Sequence, residues 1–268
     1  MKIHFSSVLL GLGVAAASLH AQAAERIVVL SSDVSEIIVA LKAENQVIGR
    51  DSLSTAPTLA HAKNIGVFRN LTLEPIVSLK PTLVLGSWMA NPSSVYDQLN
   101  AKKVKAVNVI PQQNEQTFAK GITLVGQYVG KTSQAQALSH QWLANMKPRG
   151  KTQKRYVFTY DGQMVAGKNT VADTLIRLAG GVNAASNIEG IRPIARETWL
   201  TLKPDVIVIA KHSLPAVGGS IDAFKKRPEI AQSPAARHNK IVAMTANEAF
   251  SLELDSPKVV DKLHALAR

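Results

Sequence analysis

Short apolar runs bounded by turn-forming residues alternate along this chain with stretches whose apolar positions recur at helical spacing. The first run, Ile27-Val28-Val29-Leu30, has the length and β-branched content of a buried strand. Ser31, Ser32 and Asp33 then offer helix caps, and Val34 to Leu41 carry helical apolar spacing. Val47-Ile48-Gly49 predicts a second strand. Leu73 to Leu79 predict a helix broken by Lys80-Pro81, and Thr82-Leu83-Val84-Leu85-Gly86 predicts another buried strand. Gln116 to Tyr128 reads as a helix, and the strand-like Tyr156-Val157-Phe158-Thr159-Tyr160 follows further on. This alternation predicts an α/β fold in which parallel-type sheets are flanked by helices.

The second half repeats the first. Glu74-Pro75-Ile76-Val77-Ser78-Leu79-Lys80-Pro81-Thr82-Leu83-Val84-Leu85 matches the segment from Glu197 to Val208 at an offset of 123 residues. Val34 to Leu41 matches Val171 to Leu178 at an offset of 137. Internal repetition of this kind predicts two similar lobes. The offsets differ by 14 residues, which places extra chain in the first half between Gly49 and Glu74. There Arg50 to Arg69 is rich in Ser, Thr, Pro and Ala. A loop after a strand end in an open α/β sheet lies where ligands bind, so part of a binding site is expected there. Between the halves, Thr132 to Met146 lacks Gly and Pro and reads as one long helix, either a connector between the lobes or a surface helix.

Lys2, the apolar run Val8 to Leu19 and Ala21-Gln22-Ala23 have the order of a cleavable secretory signal. The expected organisation is therefore a signal peptide over 1–23, an N-terminal ligand-binding lobe over 24–130, an interdomain helix over 131–150 and a C-terminal ligand-binding lobe over 151–268. The chain contains no cysteine, which excludes disulfides, thiolate metal sites and lipid attachment at a processed cysteine. The formal charge is +12, or +11 without Lys2, and it favours anionic ligands or surfaces. The basic residues are scattered and no nucleic-acid motif accompanies them, so nucleic acid is not an expected partner. No Gly-x-Ser-x-Gly elbow and no cysteine nucleophile occur, which leaves an exported hydrolase as a remote alternative to a binding protein.

With signal, repeated halves and connector together, the chain resembles the periplasmic binding proteins that share a long interdomain helix and carry iron-siderophores, haem or corrinoids to ABC importers. The resemblance covers essentially the whole chain after the signal and is closest to the haemin-binding branch. It is carried by Val34 to Leu41, Arg50-Asp51-Ser52-Leu53-Ser54, Ile65-Gly66-Val67-Phe68-Arg69, Ala166-Gly167-Lys168-Asn169-Thr170 and Ser233-Pro234-Ala235-Ala236-Arg237. It implies a periplasmic monomer without an intrinsic cofactor, with haem as transported ligand and an inner-membrane permease as partner. A ferric-siderophore or a corrinoid is the alternative ligand. Glu74 and Glu197, which occupy the same slot of the repeat, match the family's permease-docking carboxylates; each also suits the dipole of the helix it starts.

The haemin-binding branch typically supplies a tyrosine in a Gly-Tyr-x-Arg segment. Here that segment is Gly66-Val67-Phe68-Arg69, so the arginine is present and valine stands at the tyrosine position. Arg69 suits a propionate, and Phe68 can pack against a ring. On the facing lobe, Tyr160 is a candidate phenolate ligand, and Met164 is either a thioether ligand or an apolar gap-filler. Lys168 is a further cation for the cleft. Trp88 and Met89 follow one predicted strand and His212 follows another, at ends where ligand contact competes with ordinary packing or solvation. No pair of histidines has zinc-motif spacing.

Overall fold

The computed structural model describes residues 25–268, so the expected signal peptide lies outside the described residues. The first half contains β1 (Ile27–Val29), α1 (Ser32–Ala40), β2 (Val47–Arg50), β3 (Lys63–Asn64), α2 (Leu73–Val77), β4 (Leu83–Ser87), α3 (Val95–Ala101) and β5 (Lys105–Ile110). Two helices follow, α4 (Glu115–Tyr128) and α5 (Thr132–Asn145). The second half runs through β6 (Arg155–Thr159), β7 (Met164–Ala166), α6 (Val171–Leu178), β8 (Val182–Asn183), β9 (Ile191–Pro193), α7 (Thr198–Leu202) and β10 (Val206–Ala210). It closes with α8 (Ile221–Lys225), α9 (Pro228–Ala231), α10 (Pro234–Arg237), β11 (Ile241–Met244), α11 (Ala246–Phe250) and α12 (Ser256–Leu266).

The strands form two sheets. The first has the order β3-β2-β1-β4-β5 and is parallel throughout. The second has the order β11-β10-β6-β7-β9, with β8 beside β6, and its β6, β8, β10 and β11 are parallel. It is nevertheless mixed, because β7 runs antiparallel to both β6 and β9. The reversal is made at Asp161, whose Oδ1 accepts hydrogen bonds from the backbone of Gln163 and Met164, each at 2.9 Å, while Gly162 turns with φ of 84°.

Alternate strand residues face different cores, which explains why the strands read as unbroken apolar runs. Val28 and Val84 face the outer core of the first lobe, and Ile207 and Ile209 the outer core of the second. Ile27, Val29, Leu85, Phe158 and Val208 belong to a third, central core that runs continuously through both halves. That shared core joins the lobes by apolar packing as well as by chain connection.

The helix predicted over 132–146 is present as α5, which packs along α4. A Cβ on Gly126 would lie 2.1 Å from the Ala135 Cβ, so the two helices approach too closely there for any side chain. Phe118 and Trp142 meet with ring centroids 4.6 Å apart, and the Trp142 indole donates to the Glu253 carbonyl at 2.9 Å. Thus α5 is held by its helical neighbour on one side and by the C-terminal half on the other.

The repeat is conformational as well as sequential. The offset of 123 maps β4 onto β10 residue for residue. Lys80, three residues past α2, and Lys203, which caps α7, are both left-handed, with φ of 50° and 42°, and each precedes a proline. A left-handed residue followed by proline stops a helix without leaving its last carbonyls stranded.

Where the halves meet, α1 brings carboxylates against the chain entering α12. Glu36 accepts a hydrogen bond from the Leu254 backbone at 3.0 Å, and Asn247 donates to the Ser32 hydroxyl at 3.3 Å. Burial pushes the Glu36 carboxyl up to about 7. Burial, reinforced by the nearby charges of Glu36 and Asp33, pushes Glu253 up to about 8. Fully buried Asp33 is raised as well, chiefly by desolvation.

Candidate functional site

Chain leaving the carboxyl ends of parallel strands forms the mouth of each sheet. In the N-terminal lobe these segments are Asp51–Leu53 after β2, Ile65–Asn70 after β3 and Trp88–Asn91 after β4. They are zipped together: Asn91 donates to the Phe68 carbonyl at 2.8 Å and accepts from Leu71 at 3.0 Å, and its side chain donates to the Arg69 carbonyl at 3.0 Å. Likewise Ser52 donates to the Gly66 carbonyl at 2.8 Å. Segments far apart in sequence thereby become one rim.

That rim is apolar. Leu53, Val67 and Trp88 are 44%, 46% and 41% exposed, and they account for half of the strongly exposed large apolar side chains among the described residues. Exposure of three such groups beside one another is costly unless something covers them. Phe68 and Met89 are buried beneath the rim. The Arg69 guanidinium lies 5.2 Å from the Phe68 ring centroid, exposed and without a carboxylate partner among the described residues.

The C-terminal lobe presents aromatic rings at the corresponding ends. Tyr160, immediately after β6, stacks on Phe250, and His212, after β10, meets it edge-on with centroids 6.2 Å apart. Burial pushes the Tyr160 phenol up, and the positive charge of Arg69 pulls in the opposite direction. The arginine of one lobe therefore acts electrostatically on the tyrosine of the other. The N-terminal lobe thus offers an apolar shelf with one cation, and the C-terminal lobe an aromatic wall with a phenol and an imidazole.

Other predicted residues sit differently. Met164 is half-buried in β7, where its backbone carbonyl accepts from Tyr160 at 3.0 Å and from the Thr159 hydroxyl at 2.7 Å. Lys168 is exposed and its ammonium lies 3.4 Å from the Glu189 carboxylate, so its charge is already engaged. Arg50 is also occupied, donating to the Leu59 carbonyl at 3.2 Å and so bracing the loop that follows β2. Glu74 and Glu197 are exposed at the starts of α2 and α7. Among the described residues no group of three His, Cys, Asp or Glu side chains is placed to hold a metal ion.

Phe250 was not among the residues expected at the site. Phe250 closes α11, the short helix that follows β11, so a reading confined to strand ends passes over it. Leu53 and Val67 lie in the loop expected to carry part of the site, and their exposure singles them out within it.

A family model described as periplasmic binding protein matches residues 27–248. Among solved structures, the apo periplasmic haem-binding protein RhuT of Roseiflexus sp. RS-1 is 30% identical, with 91% of this chain and 100% of that one covered at a TM-score of 0.80. The periplasmic haem-binding protein HutB of Vibrio cholerae is 27% identical, with 90% and 98% covered at a TM-score of 0.79. The vitamin B12-binding protein of Yersinia pestis (strain Pestoides F) is 26% identical over 202 residues, which are 72% of each chain.

Proposed function

The chain belongs to the periplasmic binding protein family, and on that premise we propose that it carries haem to an ABC import permease in the inner membrane. The reading is supported by the exposed apolar shelf of Leu53, Val67 and Trp88 in one lobe, the Tyr160–Phe250 stack in the other, and the unpaired Arg69, whose charge acts on Tyr160. Haem is a flat apolar macrocycle that brings two carboxylates and an iron needing axial donors. Its faces fit the shelf and the wall, and a propionate fits the Arg69 guanidinium. RhuT and HutB are named as haem-binding proteins, which supports the same choice.

Val67 has no atom to give to iron, so the axial donor comes from the facing lobe. Tyr160 is the first candidate because it brings an oxygen donor to the end of β6, where burial raises the phenol and Arg69 offsets part of that rise; His212, at its edge, and Met164 are the others. A corrinoid is the second reading. The vitamin B12-binding relative supports it, and a prechelated metal needs no protein donor where Val67 stands.

The lobes are assigned to 24–130 and 151–268, with 131–150 as the connector and 1–23 removed on export. Glu74 and Glu197 engage the permease, one from each lobe, and the protein acts as a monomer with no catalytic residue and no intrinsic cofactor. Because the central core runs through both halves, capture involves a small closure instead of a wide rotation.

The test is a haemin titration of the mature protein followed by its absorption spectrum. A saturable site with a defined Soret band supports haem. Failure to bind haemin, together with tight binding of cobalamin, would replace it with the corrinoid reading.

A further inference from the structure

The C-terminal lobe carries a face that ligand capture does not use. A hollow beside Glu197 is lined by Arg196, Leu200 and Glu229. It adjoins a second, of about 360 Å³, in which Leu200 and Glu229 meet Lys203 and Arg237. Arg237 also lines a third, of about 570 Å³, with Lys225 and Lys226. Shared walls make these one continuous surface over α7 to α10.

Its charge is unbalanced and mostly unpaired. The three hollows are lined by five Lys or Arg (Arg196, Lys203, Lys225, Lys226 and Arg237) and by three Asp or Glu (Glu197, Asp222 and Glu229). Between Arg196 and Lys240 only Asp205 takes part in an ion pair among the described residues, and it pairs outside that stretch with Lys154 at 3.9 Å. Near the middle stands Leu200, 43% exposed. Cations spread over several short helices around one exposed leucine do not converge on a point, as a site for a single carboxylate would. They match a diffuse anionic plane with an apolar layer beneath it.

We propose that this face, with Leu200 beside Arg196, Lys203 and Arg237 and with Lys226 in the hollow adjoining Arg237, adsorbs to anionic phospholipid headgroups. The inference rests on the carrier reading, because docking through Glu197 on a membrane permease brings the adjoining cations toward the bilayer. Each cation held near an anionic leaflet adds attraction that decays within a Debye length. Adsorption concentrates the carrier at the plane where its permease lies and presents Glu197 toward it.

The experiment is co-flotation of the mature protein with vesicles of phosphatidylcholine alone or mixed with phosphatidylglycerol. Binding is expected only to the phosphatidylglycerol vesicles and is weakened by salt. The triple variant Arg196→Glu, Lys226→Glu, Arg237→Glu reduces it at least about tenfold. The variant Lys102→Glu, Lys120→Glu, Lys147→Glu changes net charge equally but on other exposed positions, and leaves binding within about twofold of the parent. Equal loss in both variants, or no binding of the parent at low salt, overturns the proposal. Haemin titrations of both variants stay at the parental value, so failure here is read separately from failure of the haem assignment. Thermal melts confirm that both variants fold.

Discussion

The Tyr160 ring lies on the Phe250 ring with centroids 4.0 Å apart and planes 11° from parallel, which ties the end of β6 to α11. Such a pair contributes about 0.5–1.5 kcal/mol beyond the area it buries. It also fixes where the phenol stands. Tyr160→Phe keeps the stack and removes only the hydroxyl, so haemin still saturates a site but the Soret band moves. Phe250→Leu keeps most of the apolar volume and frees the Tyr160 ring; haemin affinity falls about tenfold, or about 1.4 kcal/mol. An unshifted spectrum in Tyr160→Phe would move the axial role to His212 or Met164.

Arg69 is the cation that reaches both the ligand and the facing lobe. Arg69→Gln removes a charge-assisted contact to a carboxylate and weakens haemin by about 1.5–3 kcal/mol, with a matching loss of salt dependence. It also removes the charge that favours the Tyr160 phenolate, so that group titrates at still higher pH. Ultraviolet difference titration of parent and variant reads this directly. A Tyr160 titration that does not move would separate Arg69 from the tyrosine.

The seam between the lobes sets a pH dependence. Glu36 and Glu253 titrate near 7 and 8 in the folded chain, above the ordinary value of 4.5. Between pH 4.5 and about 8 the folded state therefore holds protons that the unfolded state has released. Stability contributed by the protonated seam is complete below about pH 4.5 and is lost as pH rises through 7 to 8. The melting temperature should fall across that window. Glu36→Gln with Glu253→Gln flattens the profile, since an amide stays neutral and still accepts from Leu254. Parallel profiles for parent and variant would exclude these groups as its cause.

At Gly126 the close approach of α4 and α5 makes a strict steric prediction. Even a Cβ there meets Ala135 at 2.1 Å. Gly126→Val forces the helices apart and costs about 1–3 kcal/mol by overpacking. Urea unfolding checks it. An unchanged midpoint would show that the hairpin yields without cost.

The repeat supplies a functional test for its two exposed carboxylates. Glu74→Lys with Glu197→Lys abolishes haem-dependent growth through the importer while haemin affinity stays unchanged, because neither side chain belongs to the opening. Normal uptake by that double variant would remove the docking role.

Much of this fold was legible before any coordinates. The helix predicted over 132–146 is observed as Thr132–Asn145, and the strand predicted over 156–160 is observed as Arg155–Thr159. Runs such as Val206-Ile207-Val208-Ile209 announce themselves because both faces of the strand are buried and no polar residue interrupts them. The antiparallel β7–β9 pair was not legible. Three-residue strands are too short for a periodicity, and only the Asp161–Gly162 turn hinted at the reversal.

The sequence by itself determined the alternation of strand and helix, the duplication and the likeness to a carrier family. These rest on local apolar spacing and on residues compared along one chain. Tertiary structure decided which side chains share the opening. Arg69 and Tyr160 are 91 residues apart, and only folding brings the arginine within electrostatic reach of the phenol. It also decided which cations are free: Lys168 and Arg69 look alike in sequence, yet Glu189 holds the first and no carboxylate holds the second. Whether a charge is spent on a neighbour depends on what folding brings beside it, and linear order does not specify that.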